Sequence, residues 1–325
     1  MKITYENPYT INANALIFIY IKLNKYQRSS NQFVRKIAFV GNLIFKRFAL
    51  ALVVNNKQML VKASINGMQF TARSTNSQFH SIYFDDVRNC YEPDVYGAIE
   101  EFLPEGGTML DVGSNWGHHT FDAAVRKNAN VFAFEPNVDV FNDLSRIVSG
   151  LNLEQRVVPY NVGLGYENGV LTHTQVGFES GVGSVDDAFL SHRVINQHWL
   201  VRLFDKLTLK KNIVQTAKIK VLDDFFDSKT VISFIKLDCE GSELSALKGA
   251  PILLERDKPV VVFELHTNKN SSNYTDFFEF FEPLGYELFE INTDVDAGNW
   301  DIKAVDTLVP NTHYNLLAKC RSLIL

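Results

Sequence analysis

Residues 108–120 read TMLDVGSNWGHHT. The apolar run Thr108–Val112 predicts a short buried strand, and a helix is expected to begin at about His118. Gly113 and Gly117 lie between these two elements, where glycine lets the backbone turn tightly and approach a ligand closely. The sequence therefore predicts a strand, a glycine turn and a helix, the arrangement that opens many nucleotide-binding α/β domains.

After this unit, segments of strand character alternate with segments of helix character. Further strands are predicted at 131–134, 157–162, 231–237 and 259–265, helices at 118–127, 138–149, 242–248 and 275–283, and a final strand pair at 286–291 and 314–320. Such alternation produces a mainly parallel sheet with right-handed crossovers. With the final strand pair, it predicts an α/β fold of the class I methyltransferase type, a Rossmann-like doubly wound sheet with a terminal antiparallel strand.

Two further features of the sequence are a long insertion over residues 165–218 and a helix end at Gly249. Residues 165–218 interrupt the alternation and are too long for an ordinary connection, and loops of this size often act as lids. Residues 186–205 within this excursion have the character of a helix. Gly249 is expected to cap the helix over 242–248, and Pro251 lies just beyond it.

The residues that precede the main domain divide into two regions. We expect a basic, partly helical arm over 1–57, a β-hairpin lead-in over 58–90 and the methyltransferase domain over 91–325. The lead-in contains strand-like runs at 58–64, 68–73 and 79–84. Asn66-Gly67 separates the first two runs and supplies the positive φ angles of a tight hairpin turn.

The charge distribution is uneven. Residues 1–62 contain ten Lys or Arg and one acid, a net charge of +9, so the remaining residues carry −14 and the whole chain −5. An acidic main body predicts that nucleic acid is not a partner, whereas the basic arm is compatible with peripheral contact with an anionic membrane. Residues 33–54 are apolar, but four basic residues interrupt them, so we expect a packed helix there and not a membrane span. Three widely spaced cysteines argue against a disulfide framework and favour a cytoplasmic protein.

The glycine turn predicts the cofactor. A nicotinamide-binding turn would read GxGxxG, but this one reads Asp111-x-Gly113-x-x-x-Gly117, a layout that admits the methionine portion of S-adenosyl-L-methionine. Glu135 lies at the end of the next strand, eighteen residues after Gly117, where a carboxylate usually binds two ribose hydroxyls. The predicted cofactor-binding residues are Asp111, Gly113, Ser114, Asn115, Gly117, Glu135, Pro136 and Asn161.

At these positions the sequence resembles the FkbM family of methyltransferases. The likeness is carried by Tyr91-Glu92-Pro93, LDVGSNWGHHT at 110–120, AFEP at 133–136 and FIKLDCEGSELSALKGA at 234–250, and more loosely by LDDFF at 222–226 and VVFELH at 261–266. Ser114 and His118-His119 depart from the usual family residues without removing a glycine or an acid. The resemblance implies O-methylation of a sugar, glycan or polyketide-like hydroxyl, which composition and spacing alone do not.

Three side chains are candidates for catalysis. Asp238 ends the fourth predicted strand, Glu264 nearly ends the fifth, and His266 follows two residues later. Because ligands bind beyond the carboxyl ends of parallel strands, these side chains are expected to converge. A hydroxyl acceptor needs either a general base or a divalent cation such as Mg²⁺ held by Asp238 and Glu264. We favour the base and assign no metal ligand, because the sequence offers no full ligand set.

Other functions remain open at this point. An N-methyltransferase often carries Asn/Asp-Pro-Pro-aromatic at the end of the fourth strand, where this chain has Asp238-Cys239-Glu240-Gly241. A catalytically idle binding module with the same fold is opposed by the intact turn, Glu135 and Asp238. A nicotinamide dehydrogenase is opposed by the glycine spacing.

Overall fold

The computed structural model describes residues 9–11, 60–65, 68–73, 92–175, 183–184, 213–266, 273–294, 299–305 and 313–323. The strands are β1 (Tyr9–Ile11), β2 (Leu60–Ile65), β3 (Met68–Arg73), β4 (Thr108–Val112), β5 (Asn130–Phe134), β6 (Val157–Tyr160), β7 (Gly163–Leu164), β8 (Gly169–Gln175), β9 (Gly183–Ser184), β10 (Ile213–Lys220), β11 (Phe234–Leu237), β12 (Val260–His266), β13 (Tyr286–Asp294), β14 (Asn299–Ala304) and β15 (His313–Cys320). The helices are α1 (Pro93–Phe102), α2 (His118–Arg126), α3 (Val138–Gly150), α4 (Glu243–Lys248), α5 (Pro251–Asp257) and α6 (Asn273–Phe281), with 3₁₀ turns at Leu222–Asp224 and Arg321–Leu323.

Eight strands form the main sheet, in the order β14-β13-β15-β12-β11-β4-β5-β6. The five strands β12, β11, β4, β5 and β6 run parallel to one another. β15 lies between β12 and β13 and is antiparallel to both, and β14 pairs antiparallel with β13. The predicted doubly wound sheet with a terminal antiparallel strand is therefore confirmed.

Helices cover both faces of this sheet. One core cluster includes Ile99 of α1, Phe121 of α2 and Ile147 of α3, and the other includes Leu247 of α4, Leu254 of α5 and Phe281 of α6, all fully buried. Within β12, Val260 and Val262 belong to the first cluster, whereas Val261 and Phe263 belong to the second. This alternation follows from the two-residue period of a strand, and it explains why the parallel strands are apolar on both faces.

Part of the predicted excursion forms a second sheet. β7, β10, β8 and β9 pair in that order, and β8 runs antiparallel to β10 from Gly169↔Ile219 to Gln175↔Ile213. β7 joins through a parallel pairing with the last residues of β10. In the chain, β7 begins three residues after the end of β6, so the small sheet directly follows the last strand on that side of the main sheet. The helix predicted at 186–205 lies outside the described residues.

The hairpin of the lead-in packs on the main domain. β2 and β3 pair antiparallel, and β1 adds a third strand through Tyr9↔Ile65. Phe70 of β3 is buried, stacks on Trp116 with ring centroids 6.3 Å apart, and closely approaches Gly150 at the end of α3. A strand thus lies within the arm that the sequence predicts to be partly helical. The Asn66-Gly67 turn, residues 79–84 and the rest of the arm lie outside the described residues.

The sequence also misses three elements. β14 extends the sheet beyond the predicted strand pair, the small sheet is absent from the prediction, and Pro251 begins α5 where we expected only the end of a helix. Proline is favoured at the first position of a helix because its missing N–H has no intrahelical partner there. Within the described residues, no helix is long and apolar enough to cross a membrane.

Gly249 caps α4 as expected, but the structure gives a different reason for glycine. Its φ is −86°, which any residue adopts, and its N–H donates to Ala246 and Leu247. A Cβ added at this position would lie 2.2 Å from the carbonyl oxygen of Gly165. Close packing against the chain that leads into the small sheet therefore requires glycine here.

Replacing Gly249 by Ala is expected to lower the free energy of unfolding by about 1–3 kcal/mol, because the new methyl group overpacks against rigid backbone. Urea unfolding measures the loss. Gly169→Ala is the matched control, since a Cβ there meets nothing within 4 Å. Equal losses in the two variants would contradict the close approach of Gly165 to Gly249.

Candidate functional site

The candidate site lies where the strand order of the main sheet reverses. From β4 the chain continues outward to β5 and β6, and it later returns to β11 and β12 on the other side of β4. In open α/β sheets, ligands bind beyond the carboxyl ends of the strands at such a switch point. The glycine turn after β4 and Asp238 after β11 meet there.

The glycine turn and the Asp238 turn are in direct backbone contact. Gly113 has a φ of +76°, and a Cβ on it would lie 1.8 Å from the carbonyl oxygen of Asp238. The N–H of Asp238 donates to the carbonyl oxygen of Val112 at 3.0 Å. Gly117 has a φ of +97°, and its missing side chain leaves room for Phe121 and Leu144. Only glycine permits this close approach of the two turns.

Glu135 holds the turn from the neighbouring strand. Its Oε2 accepts a hydrogen bond from the N–H of Asn115 at 3.0 Å, and its Oε1 accepts one from the N–H of Asn137 at 2.8 Å. Burial raises the pKa of Glu135 to about 7, although these two hydrogen bonds oppose the increase. Each carboxylate oxygen has a further lone pair, so the group retains capacity for two more hydrogen bonds.

Residues around Glu135 fix the path of its backbone. The Asn161 side-chain amide donates to the carbonyl oxygens of Glu135 and Pro136 at 2.9 and 3.1 Å. The Ser114 hydroxyl donates to the carbonyl oxygen of Phe134 at 3.3 Å. Asn137 caps α3 by accepting from the backbone N–H of Asp139 and Val140. The contacts of Ser114 and Asn161 are therefore with backbone, and their predicted contact with a cofactor stays a prediction.

Asp111 connects β4 to α2. Its Oδ2 accepts a hydrogen bond from the hydroxyl of Thr120 at 2.6 Å, and its Oδ1 lies 3.8 Å from the ammonium of Lys236. Its side chain is 1% exposed. These contacts orient the start of α2, so the contacts that Asp111 makes are with the protein itself, and direct cofactor contact also stays a prediction.

Lys236 is a site residue that the sequence analysis misses. It occupies β11, whose four residues are all buried, and pairs in register with Asp111 of β4. Its ammonium lies 3.3 Å from Oδ2 of Asp238 as well as near Asp111. The neighbouring carboxylates, mainly Asp238, raise the pKa of Lys236 against the opposing effect of burial. One lysine in an otherwise apolar central strand is the signal, because a buried charge requires partners.

Asp238 and Glu264 meet as predicted. They follow the last paired residues of β11 and β12, Leu237↔Phe263, and their side chains share a hydrogen bond. Two carboxyl groups can share a hydrogen bond only when one carries a proton. Burial, Glu264 and Glu92 raise the pKa of Asp238 well above its usual range, and Lys236 opposes them. The pair therefore retains a proton at a pH where an exposed aspartate has lost it.

Glu92 and two histidines lie near Lys236 and Asp238. Glu92 precedes α1 in the left-handed conformation (φ 46°), and its Oε2 lies 2.7 Å from Nε2 of His119. It also interacts electrostatically with Lys236 and Asp238. Burial lowers the pKa of His118, and the neighbouring His119 lowers it further. Left-handed backbone at a non-glycine residue is strained and is concentrated at functional sites.

The loop after Asp238 is held by Glu243. Its Oε1 accepts from the N–H of Cys239 at 2.7 Å, and both of its oxygens accept from the N–H of Gly241. Glu243 is buried, so its contacts with its own loop indicate a structural role. Burial, followed by Glu243 and Asp238, raises the pKa of the Cys239 thiol, which disfavours a reactive thiolate.

The structure places His266 only by its backbone, which pairs with His313 at the end of β12. The position of its side chain lies outside the described residues, so its catalytic role stays a prediction. Among the side chains that are described, no group of three or more His, Cys, Asp or Glu is placed to hold a metal ion.

The fold and the site together define a class I methyltransferase. The strand order, the antiparallel β15 and the glycine turn against an acid of the next strand are the features of that class that the sequence predicts. The chain belongs to the FkbM methyltransferase family, since the methyltransferase FkbM domain matches residues 111–288.

The chain is also similar to individual proteins and solved structures. The chain is 27% identical to hexuronic acid methyltransferase AglP of Haloferax volcanii over 265 residues, which cover 81% of this chain and 95% of that protein. Among solved structures, FkbM methyltransferase from Methylobacillus flagellatus matches with 17% identity and a TM-score of 0.41 over 71% of this chain and 56% of that one, so the match spans just over half of that protein. TYW2 of M. jannaschii in complex with AdoMet matches with 11% identity and a TM-score of 0.38 over 80% of this chain and 84% of that one.

The contact between the two turns can be tested by adding one methyl group. Gly113→Ala is expected to destabilise the protein by more than about 4 kcal/mol, because the methyl group would overlap the carbonyl of Asp238. Gly106→Ala is the matched control: Gly106 also has a positive φ, +69°, but a Cβ there meets nothing within 4 Å. The control is expected to lose only about 1–2 kcal/mol in chemical unfolding. Losses of the same size would contradict the contact.

Proposed function

We propose that this protein is an S-adenosyl-L-methionine-dependent methyltransferase that modifies a hydroxyl group of a sugar or glycan. The observation that carries the proposal is the backbone contact between Gly113 and Asp238. This contact brings the turn that would hold the cofactor next to the pair of acids that would act on the acceptor. The two halves of the proposed methyl-transfer site would therefore be adjacent.

Several features of the site fit this cofactor. The Glu135 carboxyl has two free acceptor positions for the 2′ and 3′ hydroxyls of a ribose, and its two backbone hydrogen bonds fix its orientation. Gly113 and Gly117 have positive φ angles and allow the tight path of the turn. Ser114, Asn115, Pro136 and Asn161 would complete the binding site. The bound cofactor supplies an electrophilic methyl group on a cationic sulfur.

Asp238 is the proposed general base. An alcohol is a weak nucleophile until its proton leaves, and a carboxylate within hydrogen-bonding distance can accept that proton. The raised pKa of Asp238 brings its basicity closer to that of a base suited to neutral pH. Glu264 shares a hydrogen bond with Asp238 and would hold it in orientation. His266 is a further candidate at the same edge.

The acceptor class is supported by the chemistry of the site and by a relative. Asp238, Glu264 and Glu92 offer several carboxylate oxygens, and such acceptors match the hydroxyl groups of a sugar. The Haloferax volcanii relative is named a hexuronic acid methyltransferase, and the match covers 95% of it. A sugar or glycan is therefore the acceptor that we test first, and a polyketide-like alcohol is the second.

The ribose role of Glu135 predicts a pH dependence. Ribose hydroxyls donate to the ionised carboxylate, so binding favours that form, and affinity is expected to rise up to about tenfold from pH 6 to pH 8. Calorimetry with 5′-methylthioadenosine measures this effect, because that ligand has the ribose but neither the amino nor the carboxyl group of methionine. Affinity rises with pH because the pKa of Glu135 is about 7 in the free protein and ligand binding would lower that pKa.

Two variants support this measurement. Glu135→Gln is expected to weaken binding by about 1.5–3 kcal/mol and to remove the pH dependence. Glu105→Gln, which changes an exposed acid in the turn before β4, is expected to behave like the unaltered protein. Unchanged affinity in Glu135→Gln would remove this residue from the ribose site.

The base role of Asp238 predicts a separation of turnover from cofactor binding. Asp238→Asn is expected to reduce kcat by at least about 100-fold, because the amide cannot accept the proton. Its affinity for S-adenosyl-L-methionine is expected to change by less than about threefold, since the backbone contact with Gly113 is preserved. Asp301→Asn, an exposed acid on β14, is the control. Normal turnover in Asp238→Asn would eliminate the base.

The assay uses labelled S-adenosyl-L-methionine with a panel of neutral sugars, uronic acids, glycolipids and polyketides, with and without EDTA. Methylation of a hydroxyl gives an ether that resists mild alkali, whereas a methyl ester formed on a uronic carboxyl is hydrolysed. Loss of turnover in EDTA with recovery in Mg²⁺ would favour cation activation of the acceptor over a free base. Transfer to an amine would favour the N-methyltransferase alternative.

A further inference from the structure

Lys236 has no role in the proposed reaction, although it is one of the most buried charged side chains of the domain. It is 4% exposed and lies in the strand between the cofactor side and the acceptor side of the site. Its ammonium is 3.3 Å from Asp238 and 3.8 Å from Asp111. Among the described residues, no other cationic side chain forms an ion pair with either acid.

A buried ammonium is costly, and packing alone does not explain it. The strand alternation places Lys236 on the face of β11 opposite to Ile235 and Leu237, both of which belong to the apolar core. An apolar side chain would avoid the desolvation cost if the only need at this position were volume. Asp111 Oδ1 has no hydrogen-bond partner in the described structure, so Lys236 supplies its compensating charge.

We infer that Lys236 is a positioning residue that favours the ionised form of Asp238 for proton transfer and links it to the Asp111 end of the cofactor turn. This inference rests on the proposed base role of Asp238. Lys236 does not touch the reacting atoms. It acts through the electrostatic potential at the carboxyl group of Asp238 and through the orientation of that side chain.

The charges around Asp238 determine the direction of the effect. Glu264 from β12 and Glu92 from the start of α1 both disfavour ionisation of Asp238, and burial acts in the same direction. Lys236 is the cation that opposes them. Other titratable side chains described at this edge include Asp111, Glu135, Cys239, Glu243, His118 and His119. Without the ammonium, Asp238 would hold its proton to a higher pH and would serve as a base only above that pH.

Lys236→Met is the test variant, since it keeps the length and removes the charge. The pH below which log kcat falls is expected to rise by about one unit or more. At a given pH below that point, turnover is then about tenfold lower than in the unaltered enzyme. At high pH the rate is expected to return to within about threefold of the unaltered enzyme. Lys236→Arg retains the charge and is expected to change the pH below which log kcat falls by no more than about half a unit.

The pH profile distinguishes this role from a structural one. A lysine that only supports the fold would lower kcat by the same factor at every pH, and that result would overturn the inference. Lys229→Met, an exposed lysine in the loop before the opposite end of β11, is the matched control and is expected to leave the profile unchanged. If Lys236→Met does not fold, Lys236→Gln provides the same measurement, with thermal unfolding and cofactor binding recorded for each variant.

The outcome for Asp238→Asn separates the two proposals. If that variant is inactive and the profile of Lys236→Met is unshifted, the inference about Lys236 fails and the proposed base remains. If Asp238→Asn retains normal turnover, the base assignment fails, and the inference about Lys236 fails with it.

Discussion

The site depends on one backbone contact, in which the Cα of Gly113 lies directly against the carbonyl group of Asp238. β4 and β11 are parallel neighbours, so their carboxyl ends lie side by side, and the hydrogen bond from Asp238 to Val112 extends that pairing into the turns. The turn is also tied to β5, since Glu135 accepts the N–H of Asn115. Rigid strands therefore fix the distance between the two halves of the site, as a precise reaction geometry requires.

This arrangement concentrates negative charge in a buried region. Asp111, Asp238 and Glu92 interact with the ammonium of Lys236, Glu264 shares a hydrogen bond with Asp238, and burial opposes ionisation of Asp238. Replacing buried ion pairs by apolar side chains often stabilises a protein, so stability does not explain the cluster. The left-handed backbone at Glu92 adds local strain. Costs of this kind are typical of sites where function, not stability, determines the residues.

Much of this architecture could be predicted from the sequence, because the parallel strands are buried on both faces and stand out as apolar runs. The convergence of Asp238 and Glu264 followed from the rule that neighbouring parallel strands end at the same edge. Lys236 was missed because a single charged residue in a short apolar strand has no motif, and its partner Asp111 is distant in the chain. Within the small sheet, β7 and β9 have only two residues each, too few to show a period.

Two buried acids illustrate how one fold can prepare carboxyl groups for different tasks. Burial raises the pKa of both Glu135 and Asp238. Glu135 is held by two backbone N–H groups, which favour the carboxylate and leave it able to accept from the hydroxyls of a ligand. Asp238 instead faces another acid and an ammonium, so its protonation state depends on two side chains of adjacent strands. Separate environments that tune two titratable groups for separate roles are a recurring basis of acid–base chemistry at neutral pH. In this site the two environments are separated by the sheet itself, because Glu135 follows β5 on one side of β4 and Asp238 follows β11 on the other.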